Sequence, residues 1–131
     1  MQRTPVNPWE WSLQFGFNQA EVIEGHQREL VCSGQTSVDA EGSPQHPDDM
    51  GAQLGLALDN LEAVLKGAGM TLSNVVRLNI YTTDMDAFFQ NAAVLGERLG
   101  PAGVRPPSTL LGISRLAFEG LMVELEATAR D

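Results

Sequence analysis

The closing segment of the chain carries the pattern that most constrains its fold. From Leu121 to Ala129, apolar side chains alternate with side chains of another kind, which is the period of a β-strand with two unlike faces. One face would carry Leu121, Val123, Leu125, Ala127 and Ala129, and the other would carry Met122, Glu124, Glu126 and Thr128. A strand of this kind buries its apolar face against a second layer. The rest of the chain must therefore supply that layer.

Two segments have the spacing of amphipathic helices that could form this layer. The first begins at Asp48 or Asp49, whose carboxylate can cap a helix, and ends near Gly67 or Gly69. The second begins at position 83 or 84 and is stopped by a Gly-Pro pair. The apolar face of the first helix would carry Leu54, Leu58, Leu61, Leu65 and Ala68.

Strands are also predicted at 17–23, 28–33, 74–81 and 108–114. The resulting order, ββαβαββ, predicts a two-layer α+β domain with both helices on one face of the sheet. With 131 residues, the chain is expected to form one domain, 1–131, in which residues 1–13 are a polar N-terminal arm. The tryptophans of this arm, at positions 9 and 11, could cover the edges of the core or form an aromatic lid over a cleft.

Composition argues against several classes of partner. The formal net charge is −9, so a phosphate backbone would be repelled and nucleic-acid binding is disfavoured. No apolar run approaches the roughly 20 residues that span a bilayer, and the start of the chain does not have the pattern of a signal peptide. The single cysteine, Cys32, cannot form an intrachain disulfide, which fits a reducing compartment. We therefore expect a cytoplasmic protein without a membrane or nucleic-acid partner.

The sequence lacks motifs for metal and cofactor chemistry. His26 and His46, the two histidines, lie in predicted turns or loops and have no cysteine or carboxylate motif beside them. No glycine-rich phosphate loop follows a strand, and Ser33 does not lie in a GxSxG turn. Cys32 lies in an apolar strand, where a thiol is more often packing than a nucleophile. We expect no metal and no cofactor.

Two polar features remain as candidates for chemistry. An apolar run ends in Ser33-Gly34-Gln35, where a hydroxyl and an amide flank a glycine that allows a ligand or another chain to approach closely. Glu124 lies on the polar face of the closing strand, where a carboxylate among apolar neighbours can exchange protons near neutral pH. Alternatively, Glu124 and Glu126 could simply face water or pair with Arg77 or Arg115.

In this order and spacing, four segments resemble the RidA family, also called YjgF or L-PSP. They are the run ending in Ser33-Gly34-Gln35, the helix around Leu58-Asp59-Asn60-Leu61, the strand 74–81 and the closing Val123-Glu124-Leu125-Glu126-Ala127. The resemblance covers nearly the whole chain. It implies a chorismate-mutase-like fold with a mixed sheet, assembled as a homotrimer whose sheets pack around the threefold axis. Clefts between the subunits would bind a small molecule.

The resemblance also implies roles for particular residues. Glu124 matches the family's cleft glutamate, which is thought to position the attacking water, and Ser33 matches the cleft serine. These two are the expected catalytic residues. Gly34 and Gln35 follow the serine, and Phe17 falls where many members have a tyrosine. We expect these three residues to contact the substrate.

The important departure lies at the family's arginine, which is thought to hold a substrate carboxylate through two hydrogen bonds. Counting back from Arg115-Leu116, Ser108 takes the place of the arginine and Leu110 that of a neighbouring cysteine. Arg105 lies upstream of two prolines and would reach the cleft only if the loop takes a different path. Ser108, Thr109 and Leu110, together with Arg105, are therefore the candidate contacts, and the hydroxyls suit a neutral or smaller ligand.

Two functions of different classes follow. In the first, the protein is a deaminase-type hydrolase that converts a reactive enamine or imine without a cofactor and releases ammonia. Glu124 would orient or deprotonate water, and Ser33 would hold the water or the substrate. In the second, the same cleft binds a small metabolite without turnover, which the missing arginine favours. A weaker third option is a chaperone-like trimer, which would need a large exposed apolar patch. The endoribonuclease label of some family members gains no support from the negative charge.

Overall fold

A mixed five-stranded sheet and three α-helices form the two layers of the computed structural model, which describes residues 1–131. The elements are β1 (Gln2–Val6), β2 (Ala20–Glu24), β3 (Glu29–Val31), β4 (Gln35–Thr36), α1 (Met50–Gly67), β5 (Val75–Thr82), α2 (Met85–Asn91), α3 (Ala93–Leu99), β6 (Ser108–Gly112) and β7 (Val123–Arg130). Two 3₁₀ turns cover Trp11–Phe15 and Leu72–Asn74. The main sheet has the order β3, β7, β5, β6, and β4 also pairs with β7; only β5 and β6 are parallel. The predicted α+β class is confirmed.

The closing strand β7 lies in the middle of the sheet and has the two faces that its sequence predicts. It pairs with β3 and β4 along one edge and with β5 along the other. Its apolar side chains are at most 2% exposed, whereas those between them are half-buried on the opposite face. The buried residues are Val123, Leu125, Ala127 and Ala129.

Helix α1 packs against the buried face of β7. The Oδ1 atom of Asp49 accepts a hydrogen bond from the N–H of Ala52 at 3.0 Å, which is the predicted cap. Beyond the last turn, Gly69 adopts a φ of 74°, a conformation in which glycine has no steric penalty. Burial of each leucine on the inner face stabilises the fold by about 1.5–3 kcal/mol. These leucines, none more than 1% exposed, are Leu54, Leu58, Leu61 and Leu65.

The second predicted helix is in fact two helices, so the expectation of two helices on the sheet is wrong in number. Helix α2 ends before Ala92 and α3 begins after it. The Nδ2 atom of Asn91 donates to the carbonyl of Ala87 at 2.8 Å, the oxygen that a regular helical backbone bond would use. This side-chain bond coincides with the break. All three helices nevertheless pack together over the buried face of the sheet, as predicted.

The N-terminal arm, residues 1–13, contains a strand that the sequence analysis missed. Strand β1 pairs antiparallel with β2 in a separate two-stranded sheet. The guanidinium of Arg3 forms an ion pair with Glu21 at 2.7 Å and donates to the carbonyl of Val75 at 2.8 Å, which attaches this sheet to the start of β5. Pro5 obscures the strand pattern, but a proline is tolerated in an edge strand.

The predicted bounds of three other strands also need correction. The segment 17–23 becomes a strand only at Ala20, because a 3₁₀ turn and Gly16, with a φ of 81°, precede it. The segment 28–33 leaves the sheet after Val31 and pairs again at Gln35. The segment 108–114 ends at Gly112. No helix of the chain combines the length and apolarity that crossing a membrane requires.

The sheet face opposite the helices is not covered by any element of the chain. Strands β5, β6 and β7 place half-buried or exposed side chains there, most of them polar. They are Arg77, Asn79, Tyr81, Thr109, Leu111, Glu124, Glu126 and Thr128. A surface of this kind either remains solvated or meets another molecule.

The fully buried side chain of Gln53 joins two loops at the end of the sheet. Its Nε2 atom donates to the carbonyls of His46 at 3.0 Å and Gly120 at 2.8 Å. Its Oε1 atom accepts the N–H of Met122 at 2.7 Å. Because Met122 directly precedes β7, this amide fixes the point at which the strand that carries Glu124 begins.

We predict that Gln53→Leu lowers the free energy of unfolding by about 2–4 kcal/mol, because leucine fills the space but leaves three backbone groups without their partner. Urea denaturation of the two proteins would measure the difference. The control Gln90→Leu, at an exposed position of α2, should change stability by less than about 0.5 kcal/mol. Equal stabilities of the wild type and Gln53→Leu would show that the loops do not depend on this amide.

Candidate functional site

The segment 32–34 forms a β-bulge beside β7. Val31 lies opposite Thr128 and Gln35 lies opposite Leu125, so four steps along one strand match three along the other. A bulge leaves an extra residue outside the regular ladder and bends its strand. The serine and glycine of the candidate motif lie within this bulge. The Nε2 atom of Gln35 donates to the carbonyl of the serine at 3.3 Å, so this amide folds back onto the bulge.

The carboxylate of Glu124 lies directly against the backbone of Gly34. A Cβ atom added to Gly34 would overlap Oε1 of Glu124 and would lie 2.6 Å from its Cδ. A glycine is therefore needed here for close approach, whatever its backbone angles. The structure thus brings Glu124 next to Gly34 and the neighbouring Ser33, although they are far apart in sequence.

The two glutamates of β7 have different surroundings. Oε1 of Glu126 accepts hydrogen bonds from Nδ2 of Asn79 at 2.9 Å and from the hydroxyl of Tyr81 at 3.0 Å. The bond to Glu126 is also the main reason that the pKa of Tyr81 is raised. The carboxylate of Glu124 has no hydrogen bond or ion pair within the chain, and neither glutamate pairs with an arginine. Glu124 is therefore a half-buried carboxylate whose acceptor positions are unused within the chain.

A second group of candidate residues meets in a cavity on the helix side of the sheet. This cavity, of about 1180 Å³, opens between the Trp11–Phe15 turn, helices α2 and α3 and the edge strand β6. Ser108 lies opposite the buried Leu78 in the β6–β5 ladder, which places it on this side. The candidate residues that line the cavity are Phe17, Arg105, Ser108 and Leu110.

The loop before β6 carries Arg105 into this cavity, so the two prolines after it do not hold it away. The carbonyl of Arg105 accepts the N–H of Asn18 at 2.9 Å, which fixes the loop beside Phe17. The hydroxyl of Ser108 donates to the carbonyl of Pro106 at 2.7 Å and is thus occupied by its own loop. Ser108 therefore offers the cavity only a hydroxyl that is already bonded.

Within one chain, the candidate residues do not form one site. Ser33, Gly34, Gln35 and Glu124 gather at the bulge, and none of them lines the cavity. Thr109 belongs to the face with Glu124, where its Oγ1 accepts a hydrogen bond from Arg77. The bulge group and the cavity group therefore lie on opposite sides of the sheet.

The aromatic and aliphatic walls of the cavity include residues that were not among the candidates. Trp11 and Phe15 line it, with the ring of Trp11 5.9 Å from that of Phe17, as the lid alternative implies. Trp9 is 64% exposed and lies outside the cavity. Phe89 shares the apolar helical spacing of the second predicted helix, yet it is 58% exposed and lines the cavity. The helical period could not distinguish a core wall from a cavity wall.

Two other chemistries find little support in the geometry. Cys32 is 6% exposed, and burial raises the pKa of its thiol, so it is not placed as a nucleophile. Histidine, cysteine and carboxylate side chains do not gather anywhere in groups of three that could bind a metal.

We predict that Gly34→Ala displaces the Glu124 carboxylate without unfolding the protein, because the added methyl meets the flexible end of a side chain. A crystal structure of the variant would show the displacement. In a double-mutant cycle of unfolding free energies, Gly34→Ala and Glu124→Ala should couple by about 0.5–2 kcal/mol. Gly55→Ala, in an open position of α1, is the control and should not couple with Glu124→Ala. An unmoved carboxylate with no coupling would contradict the contact.

Comparison with proteins of known sequence identifies the family to which the chain belongs. The family model described as Endoribonuclease L-PSP matches residues 14–131. Protein mmf2, mitochondrial, from Schizosaccharomyces pombe is 30% identical over 131 residues, which is 100% of both chains. RutC family protein YjgH from Escherichia coli is 31% identical over 101 residues, covering 77% of this chain and 74% of its own.

Solved structures agree with these relatives. YyfB from Yersinia pestis, described as a protein of unknown function of the conserved Rid protein family, matches with a TM-score of 0.84 and 32% identity, covering 99% of each chain. Rv2704 from Mycobacterium tuberculosis, a member of the YjgF/YER057c/UK114 family, matches with a TM-score of 0.68 and 31% identity, covering 99% of this chain and 100% of its own. The chain therefore belongs to the endoribonuclease L-PSP family, also called the RidA or YjgF family.

Proposed function

We propose that the protein is a homotrimer that binds a small metabolite in clefts shared between subunits. The supporting observation is the separation of the candidate residues onto two sides of the sheet in one chain. A ligand that touches both Glu124 and the cavity residues therefore needs two copies of the chain. The uncovered sheet face is a surface on which copies can meet, and a small domain gains stability when such a face is buried.

Glu124 is the residue on which the proposed chemistry depends. It is half-buried, lacks a partner in the chain and lies against the Gly34 backbone. Such a carboxylate can take a proton from water while the hydroxyl of Ser33 orients the water or the substrate. These groups suit the hydrolysis of a reactive enamine or imine.

The proposed reaction needs no redox cofactor. The oxygen of water forms a bond to the carbon of a protonated C=N group, and Glu124 accepts the proton that the water loses. The carboxylic acid then returns this proton to the nitrogen. As the C–N bond breaks and the C=O bond forms, the carboxylate accepts the proton of the hydroxyl group and passes it to the departing ammonia. The products are a carbonyl compound and ammonium. Carbon keeps its oxidation level throughout, since water replaces ammonia.

A specific observation favours a second candidate function, binding without turnover. The hydroxyl of Ser108 already donates to Pro106, and the family resemblance implies that Ser108 takes the place of the arginine of active imine deaminases. A compact imine with a carboxylate would find no forked charged donor at this position. We therefore expect such imines to be poor substrates, and a binding protein with an unrelated ligand would share this geometry.

Nucleic acid is not among the proposed partners, although the family's description includes the word endoribonuclease. The net charge of −9 opposes contact with a phosphate backbone.

A cytoplasmic location also remains a proposal and rests on the single cysteine. The relative mmf2 is mitochondrial by its name.

We predict that light scattering after size exclusion gives three times the 14.2 kDa mass of the chain. Two variants would then test whether the cleft is shared: Glu124→Gln removes the base, and Leu110→Trp blocks the cavity. Refolded together in equal amounts, they should recover about a quarter of the wild-type activity, because some clefts receive both intact halves. A stable monomer at micromolar concentration, or an active trimer whose mixed variants stay inactive, would contradict the shared cleft.

We predict that Glu124→Gln reduces the acceleration of imine hydrolysis by about a hundredfold or more, because the base is lost. An amino-acid oxidase acting on L-phenylalanine would generate the imine, and semicarbazide would trap what remains. Glu126→Gln is the matched control, since glutamine keeps an oxygen for Asn79 and Tyr81. If the Glu124→Gln variant turned over the imine at the wild-type rate, Glu124 would not be the base. Wild-type protein that binds a ligand but accelerates nothing would establish the second candidate function.

A further inference from the structure

The cavity is much larger and more apolar than a compact amino-acid imine requires. Its volume of about 1180 Å³ exceeds that of most small-molecule sites, which usually measure about 300–1,000 Å³. Aromatic rings from the N-terminal turn lie on one side, and aliphatic and aromatic side chains of α2, α3 and the following loop lie on the other. These walls include Trp11, Phe15, Phe89, Leu95, Leu99 and Val104. A small polar molecule would leave most of this surface uncovered.

One charge in the cavity is not compensated. Arg3, Glu21 and Arg105 are the charged residues of its lining. Arg3 and Glu21 form an ion pair at 2.7 Å with side chains that are 17% and 5% exposed, so these two charges cancel. The guanidinium of Arg105 has no hydrogen bond or ion pair within the chain, while its backbone is held by Asn18. The cavity therefore presents a single free cation at an apolar wall.

From this combination we propose that the cavity binds a flat, aromatic monoanion of about two rings. The aromatic body would lie between Trp11 and Phe89, and the anionic group would accept hydrogen bonds from Arg105. Aromatic side chains favour stacking of a flat ring, and an arginine at an apolar wall favours one carboxylate or sulfonate. The proposal rests on the proposed function, because it names the class of ligand for the cleft to which this cavity contributes.

The lining also argues against two other classes of ligand. Leu110 and the bonded hydroxyl of Ser108 give no second charged donor, so a dianion such as a phosphate ester would remain largely unpaired. A neutral apolar molecule would leave Arg105 without a partner. The ligand should therefore carry one negative charge at one end of an apolar body.

Two fluorescent probes that differ by one sulfonate group test the proposal on the intact oligomer. They are 8-anilinonaphthalene-1-sulfonate, the anion, and N-phenyl-1-naphthylamine, its neutral counterpart. We expect one anion per subunit and weaker binding of the neutral probe. Arg105→Gln should lower the affinity for the anion about tenfold or more, because the charge-assisted hydrogen bonds are lost. It should have little effect on the affinity for the neutral probe. Phe89→Ala should lower the affinity for both probes by about three- to tenfold.

Two matched variants keep the test specific to the cavity. Arg115→Gln removes another exposed arginine and Phe118→Ala another exposed phenylalanine, and neither residue lines the cavity. Both should leave the affinity for the anion unchanged. Equal affinity for the two probes, or equal effects of Arg105→Gln and Arg115→Gln, would overturn the proposal. Binding of the anion only by dissociated monomer would also overturn it, because the groove would then be a contact between copies.

The result can be separated from the fate of the proposed hydrolysis. Anion binding depends on Arg105 and the aromatic walls of the cavity, whereas hydrolysis depends on Glu124, so the two measurements need not fail together. If imine hydrolysis fails and the anion still binds in an Arg105-dependent manner, the ligand class stands without the reaction. If hydrolysis succeeds and the anion does not bind, the reaction stands and the ligand class is wrong.

Discussion

The pairing of β7 along both of its edges is the constraint on which the rest of the structure depends. Strands β3 and β4 hold one edge and β5 holds the other, so the register of β7 cannot shift without breaking two ladders. A shift of one residue would move every side chain to the opposite face and place Glu124 in the core. The register that buries Leu125 beneath α1 is thus the register that presents Glu124 outward. Core and candidate site are determined by one set of hydrogen bonds.

Local patterns explain why much of this fold could be predicted from the sequence. The alternation in β7 and the leucine spacing in α1 are each complete within one segment, and both elements occur where they were expected. Strand β1 was missed because its evidence is not local: it is held by β2 and by the contact of Arg3 with Val75. The break after α2 was missed because the apolar spacing of the segment continues from α2 through Ala92 into α3.

In the candidate site, too, the pattern within one segment predicts some features, and others depend on contacts with distant segments. Strand parity alone places Glu124 and Glu126 on one face, but it does not distinguish them. The difference comes from β5, where Asn79 and Tyr81 bond to Glu126 and leave Glu124 without a partner. Likewise, the sequence offers Gly34 as a place of close approach, but only the bulge shows that the approaching group is a carboxylate of the same chain. The path of the loop around Arg105 depends on its bond to Asn18, which no local pattern encodes.

Because the bulge group with Glu124 and the cavity group lie on opposite sides of the sheet, they tolerate amino-acid substitution to different degrees. If the proposed cleft is shared, one subunit supplies the base at the bulge and its neighbour supplies the cavity that receives the ligand. The bulge is held by the central strand, whose register also builds the core, and it therefore tolerates little change. The cavity is bounded by an edge strand, a loop and an N-terminal turn, which can accept new side chains without disturbing β7. Ser108 and Leu110 lie on this edge strand and Arg105 lies on the adjoining loop, so substitutions at these positions are changes of this second kind. Ligand preference can therefore diverge in this chain while the geometry around Glu124 remains intact.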